Sequence, residues 1–170
     1  TNILLLTSED YVSVGNLRTE GYLEALKDND IIPDSDLIIK VKDKKGSQLE
    51  MSFLENELEK VLKIKKVDAI LGVNEIYAGS ALKVLKKNKI TVPNEIAIIS
   101  FTDGVISRYS SPSLSTISQH GEIMGERAAK LLINKLTGKT SSKEHKTEII
   151  NCSLIKRESS WFTIKFTITL

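Results

Sequence analysis

Four short runs in this chain are apolar on successive positions, and no other feature constrains its fold as strongly. They are Ile3-Leu4-Leu5-Leu6, Leu37-Ile38-Ile39, Ala69-Ile70-Leu71-Gly72-Val73 and Ile96-Ala97-Ile98-Ile99. A strand that alternates apolar and polar residues needs cover on one face only. A strand that is apolar throughout needs cover on both, as in a parallel sheet layered between helices. The segments between the runs supply those helices: Leu17–Lys27, Glu50–Lys65 and Glu75–Lys87 carry apolar residues at spacings of three and four. In the second, Leu54, Leu58, Val61 and Leu62 make one stripe, with Glu and Lys elsewhere. Each reads as the crossover helix of a right-handed βαβ unit. The fold class expected is therefore α/β, a doubly wound parallel sheet.

The later part is less regular. Asp103–Pro112 reads as a Ser- and Gly-containing loop and Leu114–Ser118 as a short strand. Gly121–Leu136 reads as a helix with Met124, Ala128, Leu131, Leu132 and Leu136 on its apolar side, stopped near Gly138. A polar stretch to Lys143 precedes a strand expected around Thr147–Ile155. Residues 161–170 alternate Phe162, Ile164, Phe166, Ile168 and Leu170 with Thr and Lys, the period of a half-exposed strand.

Composition narrows the function classes. With 170 residues, 41% hydrophobic and 27% charged, the chain suits one globular domain. Twenty-four basic against 22 acidic residues give a net charge of +2, too even for the footprint of a nucleic-acid grip. A lone cysteine, Cys152, cannot close an internal disulfide, which fits a reducing compartment. The apolar runs fall well short of the ~20 residues that cross a bilayer, and no secretory signal is visible, so a cytoplasmic location without membrane contact is expected.

Open parallel sheets take ligands at the carboxyl ends of their strands. The residues following the runs are uniformly polar: Thr7, Ser8 and Glu9; Lys42 and Asp43; Asn74 and Glu75; Thr102 and Asp103; then Gln119 after Ser118. With Arg18 nearby, such groups suit hydrogen bonding to a neutral polyhydroxylated ligand. Chain turns are polar for ordinary reasons too, so it is their joint placement that points to a ligand. Catalysis has little support: there is no G-x-S-x-G, P-loop or G-x-G-x-x-G, and His120 and His145 lack partners at metal-ligand spacing. No metal and no cofactor is implied. Asp103 and His120 read as exposed loop residues rather than an acid–base pair, Cys152 as a small buried apolar residue, and Trp161 and Phe162 as packing residues.

The residues themselves carry a family resemblance. Val67-Asp68-Ala69-Ile70-Leu71-Gly72-Val73-Asn74-Glu75, followed by Ala78 and Ala81-Leu82-Lys83-Val84-Leu85, resembles the "DAI-x-x-x-ND-x-x-A-x-G-x-x-x-x-L" segment of LacI/GalR-type transcriptional regulators. Val92-Pro93-Asn94-Glu95-Ile96-Ala97-Ile98-Ile99-Ser100-Phe101 resembles their "VPEDVAVVGF", and Pro112-Ser113-Leu114-Ser115-Thr116-Ile117-Ser118-Gln119 their "PPLTTV-x-Q". Arg18-Thr19-Glu20-Gly21-Tyr22 resembles "R-x-x-GF". The Met124–Leu132 helix resembles "LG-x-x-A-x-x-LL", and Leu154-Ile155-Lys156-Arg157-Glu158-Ser159-Ser160 resembles the terminal "LI-x-R-x-ST".

The resemblance spans residues 1–160 and implies the second lobe, with closing elements, of a periplasmic-binding-protein-like sensor, leaving 161–170 as a tail. It implies a small sugar-like effector, a homodimer, and DNA contact only through a helix-turn-helix that lies, with the first lobe, ahead of Thr1. The ligand residues it implies are Arg18, Asn74, Asp103 and Gln119, together with Thr102, where the family usually has Asp, and Gln48, where an aromatic usually lies over the sugar. An uptake-system sugar-binding protein of the same architecture is the alternative. The dimer surface expected is the Glu75–Lys87 helix with the loop Gly104–Tyr109. That helix has one apolar stripe, Ala78, Leu82 and Leu85, for the sheet, and a second, Tyr77, Ala81 and Val84, about 100° away. A partner could cover the second stripe beside Tyr109; a helix wedged between its own neighbours would also bury both.

Overall fold

The computed structural model describes residues 1–9, 13–42, 51–139 and 147–160. Five parallel strands form the body of one sheet: β1 (Ile3–Glu9), β2 (Ile38–Lys42), β3 (Ala69–Gly72), β4 (Ala97–Phe101) and β5 (Ser115–Ser118). A sixth, β6 (Ser153–Ile155), pairs antiparallel with β5 at the edge, giving the order β2-β1-β3-β4-β5-β6. The helices are α1 (Ser13–Asp28), α2 (Met51–Ile64), α3 (Glu75–Lys87), α4 (Val105–Tyr109) and α5 (Gly121–Leu136).

The apolar runs are the central strands, and burial explains why. Leu4, Leu5 and Leu6 of β1 are all fully buried, as both faces of an inner parallel strand require. On α2, Leu54, Leu58 and Val61 are buried, while Lys83–Glu55 and Lys87–Glu59 pairs at 2.8 and 2.7 Å lace α3 to α2. The bounds of α3 and α5 match the periodicity, and α2 nearly so.

The sequence reading differs from the structure at several elements. α1 begins at Ser13, ahead of its first apolar repeat, because its opening turn, Ser13-Val14-Gly15-Asn16, holds one apolar residue and so has no period to read. Leu37 lies in a 3-10 turn (Ser35–Leu37) capped by Asp34, so β2 starts at Ile38 and runs on through Val41. The stretch read as a loop from Asp103 contains α4. The strand expected from Thr147 shortens to Ser153–Ile155, and Cys152 is exposed rather than buried.

Two corrections bear on function. On α3, Tyr77, Ala81 and Val84 are 1%, 0% and 2% exposed within the single chain. Helix α3 packs against α2, α4, β3, β4 and β1, and within this chain alone none of the three is available to a partner. Conversely, α5 has no buried residue: Ile123, Met124, Leu132, Ile133 and Leu136 are all exposed. Its apolar side is real, but most of it stays exposed.

Candidate ligand-binding site

The strand order reverses between β1 and β3: the chain leaves β1 for β2 on one side, then returns past β1 to β3 on the other. The connections therefore diverge above the carboxyl ends of these strands and open a crevice there. Arg18 of α1 reaches into this region. Its Nη1 donates to the Val73 carbonyl at 2.7 Å, and its guanidinium lies 4.6 Å from the centre of the Phe101 ring, a cation–π contact with β4. One side chain thus joins α1, the end of β3 and the end of β4.

Register brings the other residues to the same edge. Gly72 pairs with Ser100, and Phe101 with Ile117. Asn74, Thr102 and Gln119 therefore follow three adjacent parallel strands at a similar level. The Oδ1 of Asn74 accepts from the Tyr77 N–H at 2.9 Å as the N-cap of α3, which leaves its amide nitrogen as the group it can offer a ligand. Gly72 makes this turn possible, since a Cβ there would lie 3.0–3.2 Å from the backbone of Asn74 and from Ala78.

Thr102 is exposed and has φ 72°, a left-handed conformation that a β-branched residue rarely adopts. Its N–H donates to the Ile117 carbonyl at 3.1 Å, and its carbonyl accepts from the Ser107 hydroxyl at 3.2 Å. Strain of this kind persists only where the surroundings hold it, and it concentrates at binding sites.

Asp103 sits with these residues in the chain but has different chemistry. Its side chain is only 12% exposed. One carboxylate oxygen accepts from Arg157 and from the Thr116 hydroxyl at 3.2 Å, the other from Arg108 at 3.1 Å. Burial acts to raise its pKa. The Arg157 hydrogen bond and charge, with Thr116 and Arg108, more than offset this and hold it below the usual carboxylate range. Arg157 also donates to the Leu114 carbonyl at 2.8 Å, so the ion pair ties the β4–α4 turn to β5 and to the segment after β6. The expectation of an exposed loop residue is thereby corrected: Asp103 is a largely buried brace that accepts from Arg157, Thr116 and Arg108. His120 makes a separate contact, its Nε2 lying 3.0 Å from the Ser153 hydroxyl, and no acid–base pair with Asp103 forms.

Gln48, His145, Trp161, Phe162 and the rest of the 161–170 tail lie outside the described residues. Three participants were missed by sequence reasoning. Phe101 was read only as part of a strand motif, and Arg108 and Arg157, as partners of Asp103, have no spacing signal. Among the described residues no group of His, Cys, Asp and Glu is placed to hold a metal ion, and no helix is long and apolar enough to cross a membrane.

Residues 1–160 match the family model of the periplasmic-binding-protein-like domain. The chain is 32% identical over 143 residues to the HTH-type transcriptional regulator MalR of Clostridium butyricum, covering 84% of this chain and 40% of that protein. It is 30% identical over 161 residues to GalR of Salmonella typhimurium (strain LT2), covering 94% of this chain and 44% of GalR. The chain thus spans less than half the length of either relative. Among solved structures, the Escherichia coli transcriptional repressor AscG superposes with a TM-score of 0.80 at 26% identity over 94% of this chain and 55% of that one. A regulator CelR–cellobiose complex superposes at 0.79 with 24% identity, covering 94% and 46%. The mostly parallel six-stranded sheet and these matches have one conclusion: the chain belongs to the periplasmic-binding-protein-like domain family, and it is similar to that domain of LacI/GalR-type regulators.

Proposed function

We propose that this chain is the effector-sensing and pairing part of a sugar-responsive transcriptional regulator. The observation that carries the reading is Arg18, laid on Phe101 and bonded to Val73 at the switch point. It is a fixed multi-donor group facing the same strand ends as Asn74, Thr102 and Gln119. Donors and hydroxyls grouped beside an aromatic ring suit a sugar or related polyol. The relatives are HTH-type regulators, one of them solved with cellobiose, which favours a regulator over an uptake protein and over an enzyme. DNA contact belongs to a part of the regulator outside this sequence, and the working location is cytoplasmic. Ligand closing the crevice would shift a two-state lobe arrangement and so change operator affinity.

The domain reading follows from α5. The chain leaves the sheet after β5, forms a helix with an uncovered apolar side, and returns as β6. We assign that side to the other lobe, which makes residues 1–160 one lobe with its closing elements.

The pairing surface moves from where periodicity put it. Tyr109 is 83% exposed, and Val105, Ile106 and Ile76 are exposed beside it where α4 docks on the first turns of α3. An apolar cluster of this kind suits an isologous contact with a second copy.

Isothermal calorimetry against cellobiose, D-xylulose and a panel of common mono- and disaccharides tests the ligand site. A sugar that binds the parent and loses about tenfold or more with Arg18→Ala supports it, at the scale of one charge-assisted contact. A sugar that binds the parent and Arg18→Ala equally refutes it.

A further inference from the structure

α4 should not be stable by its own means. It has five residues, far below the length at which an isolated helix holds, and its N-cap, Gly104, has no side chain to accept the first N–H groups. The missing cap comes from another helix. Glu75, in the first turn of α3, directs one carboxylate oxygen to both the Ser107 N–H and the Ser107 hydroxyl, each at 3.0 Å. Ser107 is the third residue of α4, the position whose N–H an N-cap ordinarily satisfies, and it is fully buried.

Gly104 is part of the same arrangement. Its φ of −95° is open to any residue, so backbone freedom does not explain the glycine. Space does: a Cβ there would lie 2.0 Å from one Glu75 carboxylate oxygen and 2.6 Å from the other. A second contact, Ile106 Cγ2 at 3.0 Å from where a Cβ on Gly79 would stand, seats α4 on α3 one turn further along.

We propose that Glu75 is a positioning residue: by capping α4 from α3 it presents Val105, Ile106 and Tyr109 to a second copy of this chain. The proposal rests on the pairing surface assigned above and adds a link to the crevice, since Glu75 directly follows Asn74. Any movement of the α3 N-terminus around a ligand is then carried one residue along the chain to the helix that bears Tyr109.

Sedimentation equilibrium of the 170-residue chain, with hydrogen exchange at the Ser107 amide, tests it. Glu75→Ala is expected to weaken self-association by about tenfold or more, the cost of a lost cap read as a dissociation constant, and to speed exchange at Ser107. Glu75→Gln, which keeps an acceptor oxygen, stays near the parent. Gly104→Ala weakens association by itself yet adds nothing in the Glu75→Ala background, because both remove one contact. If the parent dimerises through Tyr109, so that Tyr109→Glu is monomeric, yet Glu75→Ala leaves the dissociation constant unmoved, the role of Glu75 is overturned and the pairing surface stands. A monomeric parent overturns both.

Discussion

Replacing Asp103 by Asn keeps the shape of the side chain and removes its charge, and the structure sets the size of the effect. The amide keeps an acceptor at only one of the two carboxylate positions: with its oxygen toward Arg157 and Thr116 its NH2 meets Arg108, and flipped it meets Arg157, and neither guanidinium has an acceptor to offer. Arg157, with its side chain 18% exposed, keeps the Leu114 carbonyl and the Thr116 hydroxyl but loses its counter-charge while largely out of water. Breaking a fully buried pair costs about 3–5 kcal/mol, and a single hydrogen bond to a charged group about 1.5–3. Residual exposure of both partners lowers the first figure, and the Arg108 contact, 58% exposed on the Arg side, adds little. The expected loss is about 2–4 kcal/mol.

With a urea m-value of about 2–3 kcal/mol/M, that loss lowers the unfolding midpoint by about 1–2 M at pH 7. The pH dependence gives a second check. Asp103 is held below its ordinary pKa in the folded chain, so its contribution is present above the unfolded value of about 3.9 and is lost as pH falls through the lower folded value. Parent and Asp103→Asn stabilities should therefore converge as the solution is acidified below that window. A midpoint shift under about 0.2 M at pH 7, or a gap that persists unchanged in acid, would refute the account of Asp103 as a charged brace.

Thr102→Asn should raise stability by about 1 kcal/mol in the same urea assay, since Asn tolerates φ 72° and the side chain is exposed; a loss would mean that the Thr side chain matters more than its backbone. Leu54→Ala should cost about 2–5 kcal/mol, because Leu54 is fully buried, and thermal melts would detect a smaller drop at once. Lys83→Ala should cost no more than about 0.5 kcal/mol and less still in high salt, given the exposed lysine; a larger, salt-insensitive loss would contradict a solvated pair.

How much of this was legible beforehand follows the range of the forces involved. The central strands and the bounds of α3 and α5 are written in local periodicity and could be read directly. α4 could not, because its stability comes from Glu75, 32 residues before Ser107, and a run of five mixed residues has no period to detect. The Asp103–Arg157 brace spans 54 residues, and neither partner looks unusual in its own segment. The second stripe of α3 was visible, but periodicity reports that a face is apolar and not what covers it; here it is buried within the chain's own fold. At the candidate site the strand-end positions of Asn74, Thr102 and Gln119 were readable from the runs, whereas the stacking of Arg18 on Phe101 needed the sheet order.

The edge hairpin has a consequence for engineering. Ser118 and Ser153 stand directly opposite each other in the antiparallel β5–β6 pair, and the His120 and Ser153 side chains meet just beyond. The two cut ends of the polypeptide would therefore already lie at hairpin spacing if residues 119–152 were excised. A short Asn-Gly type turn would bridge them without disturbing the parallel strands. The product would be a trimmed scaffold that dispenses with the greasy surface of α5, a liability for aggregation whenever this chain is produced by itself, while retaining the Arg18–Phe101 stack and the Asp103–Arg157 brace on the sheet that supports them.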